Sequence, residues 1–239
     1  MESFQITSFS FFMDENNKIF IVIPAYNEGC VIQGVVNEIK KNGYPNIIVV
    51  DDGSPDDTFD KAGSAGAIVF RHKINRGKGA ATKTGIEAAK LLGAGIIVTM
   101  DGDGQHDPGD ICKLIEPIKK GLDAVLGTRL KNPRGMPWYK IIQNKIGNIL
   151  TWYLFGLYVT DSQSGFRAYS RRAAEIINTR ADRYEYDSEV IREIYVYKLK
   201  YKEIPIRVRY TEYSMGKTQK QGFINGLNTL YKMFWKLIN

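Results

Sequence analysis

The sequence has no apolar run of the eighteen or so residues that a membrane-spanning helix needs, and its longest candidate, Ile149–Val159, would cover only part of a bilayer. Cysteine is nearly missing. Cys30 and Cys112 stand far apart with no CxxC spacing, which excludes a disulfide framework and a zinc cluster and favours a reducing compartment. Glycine-rich nucleotide signatures are missing too: no GxGxxG follows the first apolar run, which argues against a dinucleotide enzyme. Asn75-Arg76-Gly77-Lys78-Gly79 lacks the GxxxxGK(S/T) spacing of a P-loop. There are no internal repeats and no low-complexity linkers. The net charge of +7 calls for an anionic partner, and without any nucleic-acid motif that partner is expected to be acidic lipid or a phosphorylated substrate, not nucleic acid. At the N-terminus, Phe4–Met13 is apolar but short, has no basic flank and runs into Asp14-Glu15, so it makes a poor signal peptide.

What is present is a rhythm. Apolar runs at Lys18–Ile23, Asn46–Val50, Ala67–Arg71, Ile96–Met100 and Ala124–Thr128 alternate with helical spacing at Val31–Lys41, Thr58–Ala65, Ala80–Leu92 and Ile111–Lys120. Near-continuous Ile and Val suit strands buried on both faces, and the alternation is that of a doubly wound α/β fold with a central, mostly parallel sheet. With 239 residues and 44% hydrophobic content the chain can bury one large core. After Arg129 the rhythm stops: a loop at Lys131–Trp138 precedes helical segments from about Tyr139 to Tyr158, Arg171–Thr179 and Ser188–Lys198, then a strand at Ile204–Tyr210. Gly222–Ile238 carries an apolar stripe at helical spacing. The expected division is an extension at 1–17, a catalytic domain at 18–218 and an amphipathic C-terminal helix at 219–239.

Four polar clusters come after strands, at the edge where doubly wound sheets bind ligands. Pro24-Ala25-Tyr26-Asn27-Glu28 offers an aromatic and a carboxylate to a nucleoside, although Asn27 could equally be a helix cap. In Asp51-Asp52-Gly53-Ser54, Asp52 is as readily a turn former as a ligand. Asn75–Gly79 brings two glycines and Lys78 to a helix start, which favours phosphate. Asp101-Gly102-Asp103 places two carboxylates beyond a buried strand, where a hard divalent ion, Mg2+ or Mn2+, would neutralise them as a diphosphate arrives. Together the clusters make a nucleotide-diphosphate site the favoured reading.

These strings resemble family 2 glycosyltransferases of the GT-A fold, and within them the polyprenyl-phosphate (dolichol-phosphate) mannose and glucose synthases. The resemblance spans roughly Lys18 to Lys217. It implies that Pro24, Ala25, Tyr26, Glu28, Asp51, Asn75, Lys78, Asp101 and Gly102 hold the nucleotide sugar, and that Gln105 joins Asp101 and Asp103 on the metal. His106 is read as structural or as a neighbour of the metal ligands. Gly127-Thr128-Arg129 matches the family's Gly-Ser-Arg, so Arg129 meets the acceptor phosphate, with Arg134 and Lys140 competing for the second cation. Asp161-Ser162-Gln163-Ser164-Gly165-Phe166-Arg167 resembles the family's Asp-x-x-Ser-Gly-Phe-Arg element at the acceptor end, bringing Asp161, Ser164 and Arg167. Lys217 reaches the diphosphate from a loop.

The expected reaction is therefore inverting transfer of a hexose from GDP-mannose or UDP-glucose to a polyprenyl or dolichyl phosphate. The enzyme would sit peripherally at the cytoplasmic face of a membrane, through Trp152, Tyr153, Phe155 and Tyr158 with Lys140 and Lys145. A homo-oligomer or a membrane-protein partner stays open. Two alternatives stand beside it. A family 2 transferase acting on a saccharide or protein hydroxyl would need a carboxylate base, for which Asp161 and Asp187 are the candidates; a non-catalytic membrane-surface binding protein would leave the four clusters without purpose. A sugar-phosphate nucleotidylyltransferase would carry a glycine-rich loop where this chain has Pro24-Ala25-Tyr26.

Overall fold

The computed structural model describes residues 18–130, 138–183, 185–209 and 213, without the side chains of 138–140 and 143. The expected extension at 1–17, the C-terminal helix, Arg134 and Lys217 lie outside the described residues, and Lys140 is described only as helical backbone.

Five strands and four helices alternate first: β1 (Ile19–Ala25), α1 (Ile32–Lys41), β2 (Ile47–Asp51), α2 (Thr58–Ser64), β3 (Ile68–Arg71), α3 (Lys78–Leu91), β4 (Ile96–Thr99), α4 (Ile111–Lys119) and β5 (Ala124–Thr128). Then come α5 (Trp138–Phe155), β6 (Arg167–Ser170), α6 (Arg171–Ile176), α7 (Glu185–Val196) and β7 (Tyr201–Pro205). They form one seven-stranded sheet in the order β3-β2-β1-β4-β6-β5-β7. Among these strands β6 alone runs antiparallel, against both β4 and β5.

The Ile and Val runs form strands because both faces are covered. Ile21, Ile23, Ile47 and Val49 pack under α1, α2 and α4, while Phe20, Val22, Ile48 and Val50 pack under α3, α6 and α7. Each such side chain contributes about 1.5–3 kcal/mol of burial. Helix α3 lies close on the sheet because its inner face is built of Gly79, Ala80, Ala81, Gly85, Ala88 and Ala89. A Cβ at Gly85 would collide with Val22. The start of α3 is thereby held over the carboxyl ends of β1 and β2.

Two expectations are corrected. The last strand lies at Tyr201–Pro205 instead of Ile204–Tyr210, because β7 is a half-exposed edge strand in register with β5 whose Lys202 and Glu203 break the apolar alternation. Beyond it, Val208 forms an isolated bridge to His106. The expected set of strands also lacks β6, because its four residues carry no apolar run.

Candidate active site

All four clusters lie at the carboxyl ends of β1 to β4 and are tied to one another. The β1 cluster is pinned to the β2 cluster and α2: Asn27 N donates to Ser54 Oγ at 3.0 Å, Glu28 N to Thr58 Oγ1 at 2.9 Å and Gly29 N to Asp56 Oδ2 at 3.0 Å. Asn27 is no helix cap; it turns the chain with φ 56°, and α1 begins five residues later at Ile32. Tyr26 is left 40% exposed beside this turn. Asp51 is fully buried, accepts from Ser54 N at 2.9 Å and pairs with Arg71 Nε at 3.1 Å. Its Oδ2 makes no aligned hydrogen bond, so it retains acceptor capacity for a base or ribose donor. Asp52 holds the neighbouring loop instead of a ligand: it accepts from His72 Nδ1 at 2.7 Å, Arg76 N at 3.0 Å and Gly77 N at 2.6 Å. Asn75 is exposed on that loop.

At the β4 end, Gly102 lets the backbone approach β1; a Cβ there would lie 3.3 Å from Ile23 Cγ2 and from Pro24 O. Asp103 Oδ1 accepts from Gln105 N at 3.0 Å. His106 is buried and stacked on Phe166, with ring centroids 5.0 Å apart. Its Nδ1 faces the Asp101 N–H at 3.3 Å, which leaves Nε2 to carry the proton and point toward Asp101 Oδ2, 4.0 Å away. Burial pushes the imidazole below its usual range despite the nearby carboxylates, so it sets the loop's shape as a neutral ring.

Lys78 does not face open solvent. Its Nζ lies 2.8 Å from Asp101 Oδ1 and 3.2 Å from Asp187 Oδ2. Burial works against the charge on Asp101, but the Lys78 ammonium above all, with Arg129, outweighs it and holds the carboxyl at about 2. Asp103 goes the other way, raised by burial and by the charge of Asp101. Two carboxylates that repel each other, one of which has already drawn in an ammonium, fit a divalent cation. Among the described residues no group of three or more His, Cys, Asp or Glu could hold a metal. Asp101 and Asp103 could hold a divalent ion here, with Gln105 as the further ligand the resemblance implies, and phosphate and water would complete the shell.

The acceptor end is built differently. Asp161 grips Arg129: its Oδ2 accepts from Arg129 N at 2.9 Å and Nε at 2.7 Å, and its Oδ1 from Nη2 at 2.8 Å. Although burial opposes the charge, the guanidinium keeps Asp161 below the usual carboxylate range. Arg167, expected to meet the acceptor, is 1% exposed and lies beneath the site. It donates to the carbonyls of Ser164, Ser162 and Asp187 at 2.8, 2.7 and 3.1 Å and pairs with Asp187 Oδ1 at 3.4 Å. Ser164 Oγ is buried beside it without a hydrogen-bond partner among the described residues. Gly165 backs onto the Asp101–Lys78 pair, where a Cβ would stand 2.6 Å from Asp101 Oδ1 and 2.7 Å from Lys78 Nζ. This contact joins the two ends.

Helix α5 is inverted. Asn144, Asn148 and Thr151 face the protein, while Ile142, Ile146, Ile149, Trp152 and Tyr153 are exposed. The buried polar face is satisfied: Asn148 Oδ1 accepts from Ser162 N and Oγ, both at 2.9 Å, and Nδ2 donates to Thr160 O. No described helix is long and apolar enough to cross a membrane.

A family model described as Glycosyl transferase family 2 matches residues 20–177, well over half of the chain. The chain belongs to glycosyl transferase family 2. It is 40% identical over 245 residues to the UDP-N-acetylglucosamine–dolichyl-phosphate N-acetylglucosaminyltransferase of Methanococcus voltae, covering 92% of this chain and 94% of that one. To the polyprenol monophosphomannose synthase of Mycolicibacterium smegmatis it is 30% identical over 175 residues, covering 69% and 66%. Among solved structures, glucosyl-3-phosphoglycerate synthase of Mycobacterium tuberculosis with Mn2+, UDP and phosphoglyceric acid matches with a TM-score of 0.65 at 21% identity, covering 90% of this chain and 78% of that one. That likeness establishes the GT-A fold.

Three features of this family 2 site escape the sequence. Tyr213 donates to Glu28 Oε2 at 3.0 Å and to Asn27 O at 3.1 Å, and Arg209 N donates to Gln105 O at 2.8 Å, so the segment after β7 touches both the β1 and β4 clusters. Asp187 meets Lys78 from 109 residues away. The polar face of α5 is the third, and its spacing of Asn144, Asn148 and Thr151 was the one signal that could have exposed it.

Proposed function

We propose that this family 2 enzyme moves a sugar from a nucleotide diphosphate to a polyprenyl-type lipid phosphate, inverting the anomeric carbon in a single displacement. The observation that carries the reading is how Asp161 and Asp187 are used. A hydroxyl acceptor needs a carboxylate free to take its proton, but Asp161 is spent on Arg129, and Asp187 is buried against Arg167. A phosphomonoester with a second pKa of about 6 is already largely dianionic at neutral pH and needs no base. Arg129, pre-oriented by Asp161, would position it for attack.

On the donor side Tyr26, Glu28 and Asp51 would take the nucleoside. Mg2+ or Mn2+ bound by Asp101, Asp103 and Gln105 would supply the charge that stabilises the departing diphosphate. The exposed apolar face of α5 supports peripheral attachment at the cytoplasmic face of a membrane, where Ile142, Ile146, Ile149 and Trp152 would enter the headgroup layer. The donor is GDP-mannose or UDP-glucose in the reading from sequence; the Methanococcus voltae relative, named for UDP-N-acetylglucosamine, adds that nucleotide sugar to the set. The test offers each radiolabelled donor with Mn2+ and polyprenyl phosphate and extracts the lipid. Label in an acid-labile, alkali-stable lipid phosphodiester is the expected result, while label only in free saccharide or protein would overturn the lipid acceptor.

A further inference from the structure

The ion pair at the centre of the site ties the arrival of the metal to that of the donor. We propose that Lys78 is an exchangeable cation: its ammonium holds Asp101 and Asp187 while no divalent ion is bound, and it passes to the donor diphosphate when the ion takes Asp101. The inference rests on the donor-site reading above. Lys78 is the first residue of α3, after Gly77 with φ 111°, so its side chain hangs over the β4 end from a rigid helix. The ammonium contacts Asp101 Oδ1 at 2.8 Å and Asp187 Oδ2 at 3.2 Å. Pro24, Thr99, Gly165, Arg167 and Tyr186 pack around the pair, and Asp101 keeps 29% of its side chain exposed on the open side. A metal ion on the same carboxylate would lie against the ammonium, and repulsion between the two charges makes the binding of one weaken the hold of the other.

Charge decides when the exchange is favourable. Arg167 already neutralises one oxygen of Asp187 at 3.4 Å, so an ammonium expelled from Asp101 keeps only part of its compensation. Displacement by metal alone leaves two cations competing for the same acids. When the metal comes with a diphosphate, the ammonium gains new anionic oxygens and the balance tips toward release. Metal and nucleotide should then each strengthen the other's binding, with Lys78 as a carrier of the coupling.

The experiment titrates Mn2+ into the purified full chain, following free Mn2+ by electron paramagnetic resonance, first without nucleotide and then with saturating UDP or GDP. No turnover is involved. Lys78→Met should bind Mn2+ alone about tenfold more tightly than the wild type, and the factor by which nucleotide tightens Mn2+ binding should shrink by about as much. Lys78→Arg, which keeps the charge, should retain weak binding of Mn2+ alone. Lys83→Met, which removes a lysine of the same helix paired with Asp182, should leave Mn2+ affinity unchanged. Circular dichroism of Lys78→Met and Lys78→Gln checks folding. If Lys78→Met binds Mn2+ no more tightly than the wild type, the exchange is wrong. It is equally wrong if affinity rises while the nucleotide factor keeps its wild-type size, since that is the signature of a charge merely deleted nearby. A wild type that takes up no Mn2+ even with UDP or GDP removes the metal-site reading, and the exchange with it.

Discussion

The two halves of the sheet hold their functional groups by opposite means. In the donor half, β3-β2-β1-β4, the core is Ile, Val and Ala, and the polar clusters are tips beyond it. In the acceptor half, around β6 and β5, polar groups are the interior: Asn148, Thr151, Ser162, Arg167, Asp187 and Ser188 are all buried and linked, Thr151 Oγ1 to Ser188 Oγ at 3.3 Å among them. A tip residue can be changed at little structural cost. A residue of the polar interior cannot, because each removed partner leaves a desolvated donor or acceptor behind. Chemistry and stability are thus separable on one side of the site and entangled on the other.

The largest effect that tests this contrast belongs to the donor half. Asp103→Ala should lower transfer by about a thousandfold or more, because the charge that stabilises the leaving diphosphate is lost. Its one hydrogen bond among the described residues is from Gln105 N, so stability to urea should change by no more than about 0.5 kcal/mol. A variant that loses activity only because it unfolds would place Asp103 in the framework and break the comparison.

In the acceptor half, Asn148→Ala touches no ligand in the proposed site, yet it strips partners from Ser162 N, Ser162 Oγ and Thr160 O at once. It should cost about 2–4 kcal/mol in urea unfolding. It should also lower kcat/KM for the lipid phosphate about tenfold at temperatures where the protein stays folded, because the 160–162 segment presents Asp161 to Arg129. Affinity for UDP or GDP should hold. Equal losses on both substrates would mean that the halves are not independent.

The same contrast explains what could be read in advance. Strands β1, β2, β4 and β5 are legible to within two residues because an Ile/Val run buried on both faces has no other good home. The donor tips come with them, since side chains just after parallel strands must gather at one edge. Roles within the clusters are less legible: that Asp51 keeps acceptor capacity while adjacent Asp52 secures a loop depends on where Gly77 and His72 fold back. In the acceptor half the elements break the rules that make sequence readable. Arg167-Ala168-Tyr169-Ser170 becomes a central strand with a buried arginine, and α5 turns its isoleucines outward. Pairings such as Lys78 with Asp187 arise only when α7 is docked against α3, a juxtaposition that no local pattern encodes.

The smallest expected effect concerns the outward face of α5, and it sharpens the contrast because here an apolar surface is the one proposed to be functional. Ile142, Ile146, Ile149 and Tyr153 succeed one another around the same side of the helix, with Trp152 at its border; Trp152 is 52% exposed and Tyr153 76%. Phe155, expected from the sequence to share this surface, is only partly exposed, so the informative pair is Trp152 and Tyr153. Aromatic rings at this level would sit among lipid headgroups, with Lys145 available to anionic lipid. Trp152→Glu with Tyr153→Glu should leave urea stability within about 0.5 kcal/mol, because exposed positions carry little folding energy. The same change should weaken sedimentation with anionic liposomes at low salt by about tenfold, since it removes apolar area and adds repulsion. Transfer to a short, water-soluble polyprenyl phosphate should stay at the wild-type rate while transfer to vesicle-borne acceptor falls. If the variant sediments like the wild type, the exposed face of α5 is not the contact with the bilayer.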